Sequence, residues 1–309
     1  MEAEERRKKR DRFLLFFLLI SVLCLVLPAV TDCVTELLYL KEVQRDVERV
    51  EKRAAGTEQI RNTEKAIRGY NARIAKEQET RPFRYRGELA TDGEYEALPV
   101  KGNRQICYLM IPEIDLCLPV MHGTDASVLN EAAGHMYGTS LPFGGVSTHA
   151  VLAAHSGLVR AKLFTDLDHL KKGDSFYIRA LGKTRVYRIC GKKTVRPEEA
   201  DACLQVKKGE DLVTLYTCTP LGINSHRLLV TGRFERELNG QSGVSKGNLL
   251  RDMERRSMLK LCALLLIPAG VFACAGKYFR DFRNKKECRN RQKTCGNRNA
   301  EICIRREDT

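Results

Sequence analysis

A chain of 309 residues, 43% apolar and 30% charged, is long enough to bury one sizeable core and too apolar to be a disordered acidic or basic tail. The formal charge of +14 does not mark a nucleic-acid binder, because it is concentrated at the ends: residues 1–12 hold six Lys/Arg against four Asp/Glu, and residues 277–309 eleven against five. Twelve cysteines without knottin-like spacing exclude a disulfide scaffold, and the tail trio Cys288, Cys295 and Cys303 lacks the Cys-x-x-Cys pair of a zinc site.

In chain order, residues 1–12 form a charged N-terminus. Residues 13–30, "FLLFFLLISVLCLVLPAV", approach the ~20 residues that cross a bilayer as a helix. This run exceeds a signal-peptide core and "PAVTDC" is a poor cleavage site, so an uncleaved anchor is expected. In residues 31–79 apolar side chains recur at Val43, Val47, Val50 and Ala54, then at Ile60, Ile67, Tyr70 and Ile74. These three- and four-residue steps predict two amphipathic helices, broken near Gly56, that lay one face on a neighbouring domain. Residues 80–104 carry Pro and Gly with no sustained period and read as a long loop, of the kind that serves as a lid or binding element.

The texture then changes. Residues 105–235 run as short β-rich stretches, among them "ICYLMI", "SFYIRA", "LVTLYTC" and "RLLVTGRF", at roughly ten-residue spacing, with one helix expected near Ala161 to Leu170. A mainly β domain, barrel or sandwich, is predicted. Residues 236–258 read as a polar linker. Residues 259–276, "LKLCALLLIPAGVFACAG", make a second candidate span, and the basic tail 277–309 follows. Lys/Arg clusters outside both spans place both termini in the cytoplasm and residues 31–258 outside it, a two-pass protein of the cell membrane.

Within the β domain, "TLYTCTPLGINSHRLLV" ends one strand on Cys218 and begins the next on Arg227. Antiparallel pairing of the two brings thiol and guanidinium side by side. A thiol attacks as its thiolate, and a permanently charged guanidinium carries no proton but stabilises an oxyanion. The proton donor is sought among His122, His135, His149, His155, His169 and His226. His155 ends the strand-like "HAVLAAH" and has a plausible rim position, although any one of the six taken alone has a structural explanation.

The Thr-Leu-x-Thr-Cys strand followed by an arginine nine residues on, with "AGHMYGTSLPFGGVSTHAVLAAHSGL" and "AKLFTDLDHLKKGDSFYI", resembles the class C sortases, the pilin polymerases of Gram-positive bacteria. The resemblance runs from about Gly69 through the second span. It implies a sortase-type β-barrel with short helices, preceded by N-terminal helices and flanked by two transmembrane helices. It also implies Cys218 as nucleophile, His155 as the catalytic histidine and Arg227 as the oxyanion or substrate-orienting group. No cofactor and no metal are expected, and the partners are LPXTG-bearing pilin or surface proteins. Two places depart from the family pattern. A lid that typically carries Asp-Pro-Trp or Asp-Pro-Phe reads Arg81-Pro82-Phe83, and the Arg-Gly that commonly follows the histidine reads Ser156-Gly157. With Arg81 unable to pair with Arg227, the closed lid is expected to be held by Phe83, covering Cys218. The alternatives are a housekeeping-type sortase that attaches proteins to the cell-wall precursor, and a non-enzymatic surface scaffold with a buried Cys218.

Overall fold

The structure, a computed structural model, describes residues 2–52, 58–85, 87, 95, 104–158, 162–238 and 251–277, apart from 269, 272 and 275. The chain divides into two compact units, one of residues 1–30 with 260–309 and one of residues 31–259.

In the second unit, β1 (Gln105–Ile111), β2 (Leu116–His122), β3 (Ala133–His135), β4 (Thr148–Ala153), β5 (Ser175–Ala180), β6 (Lys183–Val195), β7 (Asp211–Thr219) and β8 (His226–Leu238) close into a barrel in the order β1-β2-β3-β4-β7-β8-β6-β5. Alternation builds it. In β5, Phe176, Ile178 and Ala180 are buried while Ser175, Tyr177 and Arg179 are only half-buried. Val213 and Leu215 of β7, Leu228 and Val230 of β8, and Ala150 and Leu152 of β4 join the same interior cluster. Phe176 and Tyr187 stack there with ring centroids 5.5 Å apart. The stack requires a missing side chain opposite it: a Cβ on Gly232 of β8 would lie 2.4 Å from Phe176 Cε1.

The N-terminal residues form α1 (Glu2–Lys52) and α2 (Glu58–Thr80), and the expected break near Gly56 falls outside the described residues, as do the side chains of Val43, Val47 and Val50. The stripe on α2 does what its spacing requires, since Ile67, Tyr70 and Ile74 are buried in the main core. Buried Asn71 fixes its register: its Nδ2 donates to Leu141 O at 3.1 Å and its Oδ1 accepts from Leu141 N at 2.7 Å. On α1, Leu40 packs with Tyr108, Met110, Cys117 and Met253. Residues 251–268 are helical, so Met253, placed by sequence in a polar linker, is a packed apolar residue of a helix.

Two elements differ from expectation. The helix sought near Ala161 to Leu170 is a set of turns leading to a 3-10 helix, Leu167–His169. Its helix-like spacing is real, because Leu163, Phe164, Leu167 and Leu170 all enter the core. Leu163, however, has a φ of 39°, which no right-handed helix accepts. The helix that sequence periodicity passed over is the short α4 (Pro197–Cys203), preceded in the chain by α3 (Ala126–Leu129). The start of α4 is written in "RPEE": proline occupies the first turn, and Glu199 Oε2 accepts from Arg196 N at 3.3 Å.

One helix among the described residues, 30 residues from Phe13 to Glu42 with a mean hydropathy of 3.0 in its most apolar stretch, is long and apolar enough to cross a membrane. Residues 259–276 are helical up to 268 and described only in part beyond it.

Gly232→Ala should cost about 1–3 kcal/mol by overpacking the Phe176–Tyr187 stack, to be read as a lower denaturant midpoint at unchanged slope. A second expectation concerns His135, which is fully buried, accepting at Nδ1 from Tyr95 OH (2.8 Å) and donating from Nε2 to Ser140 O (2.8 Å). Burial pulls its pKa from 6.5 to about 3. The unfolded chain then binds a proton that the folded chain refuses. Stability contributed by this residue falls as pH drops below about 6.5, with a limiting slope of about 1.4 kcal/mol per pH unit that flattens towards pH 3. Unfolding of wild type and His135→Gln between pH 7 and 4.5 should show a steeper loss in the wild type.

Candidate active site

Strand register assembles the site. β7 and β8 pair antiparallel with Cys218 opposite Arg227, and β4 and β7 pair parallel with Ala153 opposite Tyr216. His155 lies two residues beyond Ala153 and Cys218 two beyond Tyr216. Cys218 and Arg227 thus share one row on the face opposite the core, and continuing the alternation of β4 two residues past its end at Ala153 carries His155 towards the same row. The pairing extends past the ladder through side chains: Thr217 Oγ1 donates to Ala154 O at 2.7 Å and Ser156 Oγ donates to Cys218 O at 2.7 Å. Ser156, one of the two departures from the family pattern, thus ties the histidine's strand end to the cysteine's. All three row members are half-buried, and Cys218 is a free thiol.

Arg227 is held in place. Its Nε donates to Tyr216 OH at 3.1 Å, and its Nη1 donates to Asn224 O at 3.0 Å and His226 O at 3.1 Å. Among the described residues Nη2 makes no hydrogen bond, so its two N–H donors are left to the side of the thiol's strand. Burial raises the Tyr216 pKa, opposed by the Arg227 charge, so the phenol stays protonated and offers its oxygen as acceptor. Tyr216 was missed in the sequence, yet its place two residues before Cys218 puts it on the same face of β7.

The remaining histidines lie elsewhere. His149, on the outer face of β4, is buried between Gln205 O (2.8 Å at Nδ1) and Thr214 Oγ1 (2.7 Å at Nε2), and burial lowers its pKa. His122 and His135 are buried, His169 is exposed, and His226 Nδ1 lies 2.9 Å from Ser225 Oγ. Among the described residues no His/Cys/Asp/Glu group is arranged to hold a metal.

Of the Arg81-Pro82-Phe83 segment, Arg81 is exposed and Phe83 is buried, packing with Met136, Val151, Ala153, Leu204 and Leu229, with Tyr216 alongside. That seat is the row next to the triad. The ring therefore closes the surface beside Cys218, and Cys218 is not a member of its cluster. A ring buried to this degree contributes about 1.5–3 kcal/mol. Nor does Phe83 hold the segment by its ring alone: Gln205 Oε1 accepts from Phe83 N at 2.7 Å, Gln205 Nε2 donates to Phe83 O at 3.0 Å, and Tyr85 N donates to Asp201 Oδ2 at 3.2 Å. Gly138, at φ 82°, lets the ring approach, since a Cβ there would lie 3.2 Å from Phe83 Cε2.

A closed eight-stranded barrel that pairs a thiol on β7 with a guanidinium on β8 and carries an imidazole just past the end of β4 is an arrangement suited to cysteine acyl transfer. Residues 109–235 match the sortase domain. Sortase C-1 of Actinomyces oris is 41% identical, with a TM-score of 0.53 over 58% of this chain and 99% of that one. Sortase C of Streptococcus pneumoniae, whose structure is described as informative on pilin substrate specificity, is 35% identical, with a TM-score of 0.54 over 63% of this chain and 97% of that one. Sortase A of Streptococcus agalactiae is 26% identical over 54% of this chain, which spans 65% of that relative's length. The chain belongs to the sortase family of cysteine transpeptidases, and the solved structures it resembles are class C sortases.

Proposed function

We propose that the chain is a membrane-anchored class C transpeptidase that cleaves an LPXTG-like sorting signal and joins it to a lysine amine of a pilin subunit. The observation that carries this reading is the pairing of Cys218 with Arg227 across β7 and β8, with the strand end that bears His155, about 60 residues earlier in the chain, tied to the cysteine through Ser156 Oγ and Cys218 O. The Cys218 thiolate attacks the Thr-Gly carbonyl carbon, forming the C–S bond while the carbonyl π pair moves to oxygen. The free Nη2 of Arg227 donates to that oxyanion. Collapse breaks the C–N bond, and imidazolium His155 gives its proton to the departing glycine amine. A lysine amine then attacks the thioester, loses a proton to neutral His155 and expels the thiolate, leaving an isopeptide bond. The cycle returns every group to its starting state.

Class C structures among the neighbours support a pilin as acceptor, while a sortase A among the relatives keeps cell-wall attachment as the second reading. Full-length enzyme incubated with a sorting-signal pilin distinguishes them: ladders are expected, and single products only would favour the second. In the two-pass topology proposed here, residues 13–30 and 259–276 span the membrane and hold the barrel on the outer surface, where tethered substrates reach it.

Cys218→Ala should abolish the thioester intermediate seen by mass spectrometry, and normal ladder formation by that variant would refute the transpeptidase reading. His155→Ala and Arg227→Ala should each fold and lose at least about 100-fold in turnover. Arg227→Lys should not recover it, because an ammonium cannot contact Tyr216, Asn224 and an oxyanion together. For topology, protease added to intact protoplasts should remove the barrel and spare a tag at Thr309; loss of the tag would mean that 259–276 does not span.

A further inference from the structure

The proposed reaction needs an extended peptide to lie across the outer face of β4, β7 and β8 with its scissile carbonyl at Cys218. Its flanking N–H and C=O groups must find partners once water is excluded. In most strand-binding sites a free sheet edge supplies them. Here β4 is paired with β3 and β7, β7 with β4 and β8, and β8 with β7 and β6, so none of the three offers one. The partners have to come from side chains.

One side chain already plays that part for a peptide unit of the chain itself. Gln205 accepts from Phe83 N at 2.7 Å and donates to Phe83 O at 3.0 Å, which is how one residue of a strand pairs with its neighbour. Its amide is held in orientation from behind, since Nε2 also donates to Asp201 O at 2.7 Å. Its main chain is fixed too: Gln205 O lies 2.8 Å from His149 Nδ1, and Val206 N donates to Gln78 Oε1 at 2.8 Å. The clasp therefore stays in place if residues 81–85 leave. The seat beneath it adjoins the triad row, about 7 Å away at two residues per row.

We propose that Gln205 is a main-chain clasp shared by two occupants in turn: the Phe83 residue of this chain, which shuts the surface beside Cys218, and the main chain of the incoming sorting signal once that segment lifts. The proposal rests on the transpeptidase reading only for the identity of the second occupant. It makes Gln205 a positioning residue, and it explains how the 81–85 segment is retained with exposed Arg81 in place of an acidic residue. Closure and substrate binding compete for the same donor and acceptor.

The test uses the full chain in detergent micelles, with alkylation of Cys218 by iodoacetamide followed by peptide mapping, which separates it from the other cysteines. Gln205→Ala should raise the Cys218 rate about tenfold by removing two hydrogen bonds from the closed segment, and an unchanged rate would overturn the clasp. Gln205→Glu guards against local unfolding as the cause. Above its carboxyl pKa, ordinarily about 4.3, it keeps the acceptor for Phe83 N but faces Phe83 O with a charge. It should therefore react faster than wild type at pH 7.5, and its ratio to the wild-type rate should fall towards one as the pH is lowered through about 4.3 to below 4. A ratio to wild type that does not move with pH would mean that lost packing, not a lost donor, is responsible. The second occupant is tested by fluorescence anisotropy with a labelled Leu-Pro-Ala-Thr-Gly peptide, on Cys218→Ala/Phe83→Ala, where the competing segment is weakened and no turnover occurs. Adding Gln205→Ala should weaken binding about tenfold, and equal affinity would overturn the shared role. Alkylation and binding that behave as expected in a chain that builds no isopeptide bond would refute the transpeptidase reading and leave the clasp standing.

Discussion

The constraint on which the site depends is the double pairing of β7. A parallel partner on one side sets Ala153 opposite Tyr216, and an antiparallel partner on the other sets Cys218 opposite Arg227. Because side chains alternate, a slip of one residue in either ladder would turn one member of the triad into the barrel interior. The interior therefore enforces the chemistry. Val213, Leu215, Leu228, Val230, Ala150 and Leu152 must face inward together, and once they do, Cys218, Arg227 and His155 share the opposite face. Packing energy spread over many residues is what holds three reactive groups in register, and Ser156 and Thr217 carry that register past the last main-chain bond.

Around the barrel, side-chain amides do a job that strands do elsewhere. Asn71 pairs with both polar groups of Leu141, Gln205 with both of Phe83, and Gln78 bridges Val206 N and Gly138 O. Each joins a segment outside the sheet to one that cannot join the ladder, because the ladder is closed. A carboxamide suits this, having one acceptor and two donors in a rigid plane matched to a peptide unit. The consequence is a hierarchy of stability. Asn71 is buried at the α2 contact, whereas the Gln205 contact lies among part-buried groups near the triad, where a smaller free energy opens it.

In the candidate site the pairing of Cys218 with Arg227 was legible because it follows from strand patterning and one short motif, whereas His155 was singled out among six histidines by resemblance. The strand ends at Cys218 and Arg227 and the amphipathic face of α2 need no tertiary information. What was not legible depended on partners far along the chain. Gln205 lies 122 positions from Phe83, and nothing local marks it as a clasp. The Leu163 to Leu170 stretch has helical spacing but a turn-forming backbone, since the core rewards where apolar side chains arrive and not the path between them. Met253 was read as linker because a single apolar residue in a charged stretch gives no period, although its burial beside Leu40 and Tyr108 makes it part of the fold. The ring of Phe83 was assigned by analogy to the cysteine, while register seats it one row away.

That displacement bears on what the exposed arginine means. An acidic residue at position 81 would hold the segment by a charge pair, which salt screens over about 8–10 Å and which is weak at an exposed surface. With Arg81 exposed and Phe83 clasped by a neutral amide, retention instead depends on hydrogen-bond geometry and apolar burial, neither of which is screened in that way. It also leaves Arg227 without a competing carboxylate from this segment. The guanidinium keeps its neutral partners Tyr216, Asn224 and His226 and the two N–H donors of Nη2, so the positive charge beside Cys218 is not neutralised by residues 81–85 when the segment is shut. Opening then has to vacate the apolar seat, the Gln205 amide and the bonds of Tyr85 to Asp201 and Thr124, none of which involves Arg227.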